Sequence, residues 1–220
     1  MWKITPLFAN WITAPSNPLF KNSILSNASS ILELGCGISG IIGLGLAPLV
    51  RSYTLTDQEY VAKLINQNLQ ENLQVGVAYS ARGRKTGTKS KGITSSQQNN
   101  VRFMPLDWEQ DEVLPELTGI PDSKSFDLVI ACDCIYNDAL VAPLVQACVD
   151  VCKLRSIGEE GMQGIPTVCV IAQQLRSDEV FEAWLKEFHK SFRVWRLPDS
   201  DLIEGLREDT GFVVHAGILR

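Results

Sequence analysis

Residues 31–40, Ile-Leu-Glu-Leu-Gly-Cys-Gly-Ile-Ser-Gly, constrain the fold of this chain more than any other stretch. Ile31, Leu32 and Leu34 form the apolar run of a strand covered on both faces. Gly35, Gly37 and Gly40 then permit a sharp turn, close approach of the backbone to a ligand, and tight packing of the helix that follows. Ser39 opens that helix, over residues 41–46, with its positive end facing the turn. Strand, glycine turn and helix in this order make a cradle for a nucleotide-like ligand. The spacing Gly35-x-Gly37-x-x-Gly40 also fits the dinucleotide fingerprint of NAD-dependent dehydrogenases, and a plain structural turn uses glycines the same way. The glycines alone leave the ligand open.

Bulk properties narrow the classes. At 220 residues, 45% hydrophobic and 20% charged, the chain suits one globular domain, residues 1–220. Its net charge of −5 and pI near 5.1 argue against wholesale nucleic-acid binding, so no direct nucleic-acid partner is expected. No run of about 18 apolar residues is present, so no membrane span is expected, and residues 1–6 lack the layout of a signal peptide. Cys36, Cys132, Cys134, Cys148, Cys152 and Cys169 lie mostly in apolar runs without a Cys-x-x-Cys pair, and His189 and His215 are distant in sequence. Buried, reduced thiols in a cytoplasmic or nuclear protein are therefore expected, and no metal site.

Periodicity supplies the elements. An amphipathic helix is predicted over residues 3–13, a short helical piece around 19–25, and strands at 31–34 and 51–57. Residues 59–73 read as a helix with Val61, Leu64, Ile65, Leu69 and Leu73 on one face. Residues 76–100 hold Arg82, Arg84, Lys85, Lys89 and Lys91 and no acid, and read as an exposed, disordered basic insertion. Strands follow at 101–106, 126–132 and 167–173, helices at 139–154 and 177–190, the second opening on Ser177-Asp178-Glu179 as an N-cap, and two last strands at 192–197 and 211–219. Seven strands with helices between the first five predict a doubly wound, Rossmann-like α/β sheet. The loop between the last two strands is too short for a long helix, so the last strand is expected to be antiparallel.

In such sheets the ligand lies beyond the carboxyl ends of the strands. Those ends carry Gly35–Gly37, Asp57, Asp107-Trp108 and Cys132-Asp133. Asp57, about 20 residues past the cradle, is placed to accept ribose hydroxyls. Asp107 is placed to accept from an adenine amino group, and Trp108 offers an aromatic face. A sulfonium suits the neighbourhood of Asp133 and aromatic rings. No basic residue stands where a pyrophosphate would need one.

Glu33, two residues before Gly35, completes Glu-x-Gly-x-Gly, which resembles motif I of the S-adenosylmethionine (SAM) methyltransferases with seven-stranded Rossmann-like sheets. Trp2-Lys3, the 33–40 cradle, Asp57, Leu106-Asp107-Trp108 and Asp133-x-x-Tyr136 together resemble the protein-lysine methyltransferases of that fold. The stretch Cys-Asp-x-Ile-Tyr-Asn at residues 132–137 is similar to the fungal branch of ribosomal protein lysine methyltransferase 5. The resemblance spans nearly the whole chain. It implies S-adenosyl-L-methionine as cofactor, and methyl transfer to a lysine ε-amine of a ribosomal large-subunit protein; a monomer is expected. It implies cofactor contacts at Trp2, Gly35, Cys36, Gly37, Asp57, Trp108 and Cys132, and a substrate end at Asp133 and Tyr136; Glu33, through the Glu-x-Gly-x-Gly motif, is also expected at the cofactor. On this reading Asp133 hydrogen-bonds and orients the amine, and Tyr136 walls the channel. Two departures stand out: relatives carry an N-terminal extension with a β-hairpin ahead of the position of Trp2, and the basic insertion is peculiar to this chain. An NAD-dependent oxidoreductase and a non-catalytic SAM-binding adaptor are the competing readings.

Overall fold

Apolar runs and helical stripes alternate along the chain, and they assemble as one seven-stranded sheet with helices on both faces. The computed structural model describes residues 2–82, 100–121, 123–157 and 165–220. Helices α1 (Ile4–Thr13) and α2 (Pro18–Lys21) lead into β1 (Ser30–Leu34), α3 (Ile41–Leu46), β2 (Ser52–Asp57) and α4 (Ala62–Arg82). Then come β3 (Val101–Pro105), β4 (Leu128–Cys132), α5 (Val141–Ile157), β5 (Val168–Gln174), α6 (Asp178–Ser191), β6 (Phe192–Arg196) and β7 (Phe212–Leu219). The strand order is β3-β2-β1-β4-β5-β7-β6. The first five strands pair in parallel, and β7 runs antiparallel between β5 and β6.

Strand periodicity sorts the core into two layers. Ile31 and Ile130 face a cluster with Ile4, Phe8 and Ile12 of α1, Ile42 and Leu46 of α3, and Ile65 and Leu69 of α4. Leu32, Leu34, Val129 and Ala131 point to the opposite face, against Leu144, Val145 and Cys148 of α5 and Trp184 and Phe188 of α6. Every residue of β1 and β4 is buried, as near-continuous apolar strands in the middle of a parallel sheet must be. Helix α6 starts where the sequence puts a cap, with the Ser177 hydroxyl accepting from the Val180 N–H.

Two expectations need correction. Helix α4 runs to Arg82, through the first seven positions of the segment read as a disordered insertion. At the other end of that segment Asn100 is anchored, its side chain donating to the Ala47 and Val50 carbonyls. Gly and Ser content suggested a break before residue 82, but a four-turn helix already packed through Ile65 and Leu69 carries its hydrogen bonds onward at little further cost. Residues 83–99 of the expected insertion lie outside the described residues. The second correction concerns the β3–β4 crossover, which among the described residues contains a 3-10 turn (Pro115–Thr118) in place of a helix. The six cysteines are buried and free, as their apolar surroundings predict; Cys152 Sγ and Cys169 Sγ lie 3.5 Å apart.

Candidate active site

The carboxyl ends of β1, β2, β3 and β4 converge on a cleft of about 200 Å³. Gly35 and Gly37 form its floor, both left-handed with φ of +67° and +62°. At Gly35 a Cβ would stand 2.7 Å from Cys134 Sγ and 3.1 Å from the Trp108 ring, so the backbone is gripped from both sides. Nothing lies within 4 Å of a Cβ built on Gly37, so this position stays open. Asp57, at the end of β2, ties the turn to its neighbour strand. Its Oδ2 accepts the Gly37 N–H at 2.8 Å, and its Oδ1 accepts the Gln58 N–H at 2.8 Å. Each oxygen keeps a lone pair for a further donor, as a ribose diol would supply.

Trp2, Trp108, Cys132, Asp133 and Tyr136 line the same cleft, as the sequence pattern anticipates, together with Gln58, Tyr60, Val61, Leu106, Cys134 and Leu140. The indole N–H of Trp108 is buried without a partner among the described residues, a donor that an acceptor on a ligand would complete. Neither Lys nor Arg is among the lining residues. A ligand with a pyrophosphate would meet the Asp57 carboxylate and no cation among the lining residues. A nucleoside carrying a cationic sulfur fits this donor set, and the residues present therefore suit SAM.

Three expected cofactor residues are placed elsewhere. Glu33 lies beneath the cleft floor, buried, where the Tyr53 hydroxyl donates to its Oε2 at 2.6 Å. Cys36 is buried in the core, with its thiol directed to the Gly37 carbonyl at 3.2 Å. Asp107 caps the turn after β3: its Oδ1 accepts the Glu109 N–H at 2.9 Å, and its own N–H donates to Asp111 Oδ2. Sequence position put Asp107 at the right strand end, but its two neighbours, Leu106 and Trp108, are the ones that face the cleft.

Burial raises the Glu33 carboxyl from 4.5 to about 7; the Tyr53 hydrogen bond pulls the other way, and nearby Asp57 adds to the rise. The folded chain thus binds this proton more tightly than the unfolded chain. That stabilisation is full below pH 4.5 and is lost as pH rises through about 7. His215, packed against Trp184 and Phe181, is shifted in the opposite sense, to about 4, by burial and then by Arg196 and His189. Its contribution is full above pH 6.5 and is lost as pH falls through about 4. The two slopes oppose each other, so native stability should change little between these limits on their account. Glu33→Gln removes one slope. Urea unfolding is expected to show a variant that gains stability between pH 4.5 and 6.5 and exceeds the native chain at pH 8, by about 3 kcal/mol. A native-like pH profile in the variant would contradict this.

Asp133 departs most from expectation. It follows β4 in a left-handed conformation, φ +62°, which Asp tolerates better than most residues, while its N–H continues the ladder to the Ala172 carbonyl at 2.7 Å. Its carboxylate, expected to reach toward an incoming amine, is fully buried and paired with Arg176. Arg176 Nη1 donates to Oδ1 at 2.9 Å, Nη2 donates to Oδ2, and the Gln174 N–H also donates to Oδ1. Sequence reasoning missed Arg176. The available signal was a lone cation two residues beyond β5, at the strand edge next to Asp133. Tyr136 is exposed at the rim and stacks on Trp2, with centroids 6.5 Å apart.

A sheet of this order, with a glycine floor at the first crossover and Asp57 at the end of the neighbouring strand, defines a class I methyltransferase fold. A TehB-like SAM-dependent methyltransferase from Corynebacterium glutamicum shares the architecture, with a TM-score of 0.51 at 15% identity over 96% of this chain and 86% of that one. The chain belongs to the lysine methyltransferase family, whose profile matches residues 1–83 and 87–181. It is 30% identical over 202 residues to ribosomal lysine N-methyltransferase 5 of Zygosaccharomyces rouxii, covering 84% of this chain and 62% of that protein. It is also 31% identical over 199 residues to a diaminohydroxyphosphoribosylamino-pyrimidine deaminase of Schizosaccharomyces pombe, covering 88% of this chain and 38% of that protein. The chain therefore spans less than two thirds of the length of either relative.

Proposed function

We propose that this chain transfers a methyl group from SAM to the ε-amine of a lysine in a protein, and that the protein is a ribosomal large-subunit component. The carrying observation is the cleft itself: glycine floor, Asp57, Trp108 and Asp133 in one pocket, with no Lys or Arg among its lining residues. The name of the Zygosaccharomyces rouxii relative supports the ribosomal substrate.

SAM supplies an electrophilic methyl group on a positively charged sulfur. Asp57 would take the ribose hydroxyls, Gly35 and Gly37 let the backbone approach, and Trp108 would cover the adenine face. Displacement at such a centre needs alignment and exclusion of water more than acid–base help. Trp2 and Tyr136 wall the mouth through which a lysine would come. A lysine ammonium with an ordinary pKa of about 10.4 must shed a proton before attack. No histidine is among the lining residues, so the proton leaves to water as the aromatic walls desolvate the amine.

Titration calorimetry separates this reading from a dehydrogenase. SAM is expected to bind with one site per chain, and NADH to give no heat; the reverse result overturns the reading. An adaptor would bind SAM and label no protein in a ribosome-containing extract.

A further inference from the structure

We propose that Arg176 is the positioning residue of the acceptor channel, holding the buried Asp133 turn and the exposed Trp2 wall in one arrangement for the incoming lysine. The acceptor in this statement rests on the lysine-methylation reading above; the geometry stands independently of it. The guanidinium edge is spent on the two Asp133 oxygens. Its face lies over the Trp2 ring, with Cζ 4.9 Å from the centroid, and the Trp2 ring stacks in turn on Tyr136. One planar cation therefore joins the turn after β4 to the residues before α1, and Trp2 carries the link on to Tyr136.

Two features call for such a tie. Trp2 and Tyr136 are 56% and 57% exposed, and rings standing that far into solvent keep a fixed orientation only when something holds them. Asp133 presents a carboxylate with no exposed side-chain surface, which would be a buried charge without a cation if Arg176 were lost. Arginine meets both demands because its fork pairs with a carboxylate in plane while its faces remain free to stack, whereas the ammonium of lysine satisfies only the charge. Arg176 does not line the cleft and its side chain is 32% exposed, so it acts on substrate through Asp133 and Trp2.

The test uses Arg176→Gln and Arg176→Lys in the 220-residue chain, with Trp2→Phe as the reference that isolates Trp2 among the five tryptophans. Acrylamide quenching of the Trp2 emission is expected to rise in both variants. KM for the protein acceptor is expected to rise about tenfold in Arg176→Lys, the loss of one stacked cation, with kcat within about threefold of native, whereas Arg176→Gln, which leaves the Asp133 carboxylate without its cation, is expected to lose transfer as Asp133→Asn does. The lysine variant is expected to keep native thermal stability and still show the raised KM, which a role in stability alone would not produce. Trp2 quenching that stays native in the folded lysine variant overturns the proposal. If the native chain transfers no methyl group, the lysine-methylation reading falls, and the quenching result by itself decides whether Arg176 holds Trp2.

Discussion

Gly35→Ala is expected to abolish measurable SAM binding and to destabilise the chain by about 2–5 kcal/mol, the sum of left-handed strain and overpacking. The backbone there has φ +67°, and the new methyl would stand 2.7 Å from Cys134 Sγ, itself buried and directed at the Leu34 carbonyl. Relief requires Cys134 or the Trp108 ring to move, and Trp108 is a wall of the cleft. Gly37→Ala is the control. Its Cβ meets nothing within 4 Å, so only the strain of φ +62° remains, about 1 kcal/mol. Denaturant unfolding and SAM calorimetry on both variants check the ranking. Native SAM affinity in Gly35→Ala would mean that the ligand does not use this turn.

The second large effect is expected from Asp133→Asn. Asn keeps the left-handed turn at φ +62° and the shape of the side chain but removes the charge that Arg176 answers. Breaking a fully buried pair costs about 3–5 kcal/mol, and the 32% exposure of Arg176 lowers this to about 2–3 kcal/mol. Methyl transfer is expected to fall below detection while SAM affinity stays within about threefold of native, because the Asp57 and Gly37 contacts are untouched. Asp133→Ala should lose transfer as well and lose more stability, since alanine is disfavoured at positive φ. Retained transfer in Asp133→Asn would remove this residue from the acceptor end.

The scaffold was legible because its signals are local. Continuous apolar runs marked β1 and β4, Ser177 marked the start of α6, and the glycine spacing marked the first crossover. The end of α4 was not legible, since the composition after residue 75 resembles a loop while helix propagation favours continuing to Arg82. At the site, strand-end logic brought Gly35, Gly37, Asp57, Trp108, Cys132 and Asp133 to one cleft. It misdirected Asp107 and Glu33, for which being near a strand end does not settle where the side chain goes. Period-two alternation puts Glu33 on the face with Ile31, where it meets Tyr53 under the floor. The pairing of Asp133 with Arg176 was invisible because the partners are 43 residues apart and meet only after β4 and β5 align. Sequence reading thus placed Asp133 at the cleft and left out the arginine its carboxylate pairs with.

The central claim is that the cleft delivers a methyl group from SAM to a protein lysine. The most direct measurement incubates the chain with tritiated SAM and a ribosome-containing extract, and then locates the label by peptide mass spectrometry. The account predicts label on lysine of a large-subunit ribosomal protein, absent when Asp133→Asn replaces the native chain. Label on another residue type, or equal labelling by Asp133→Asn, would contradict it.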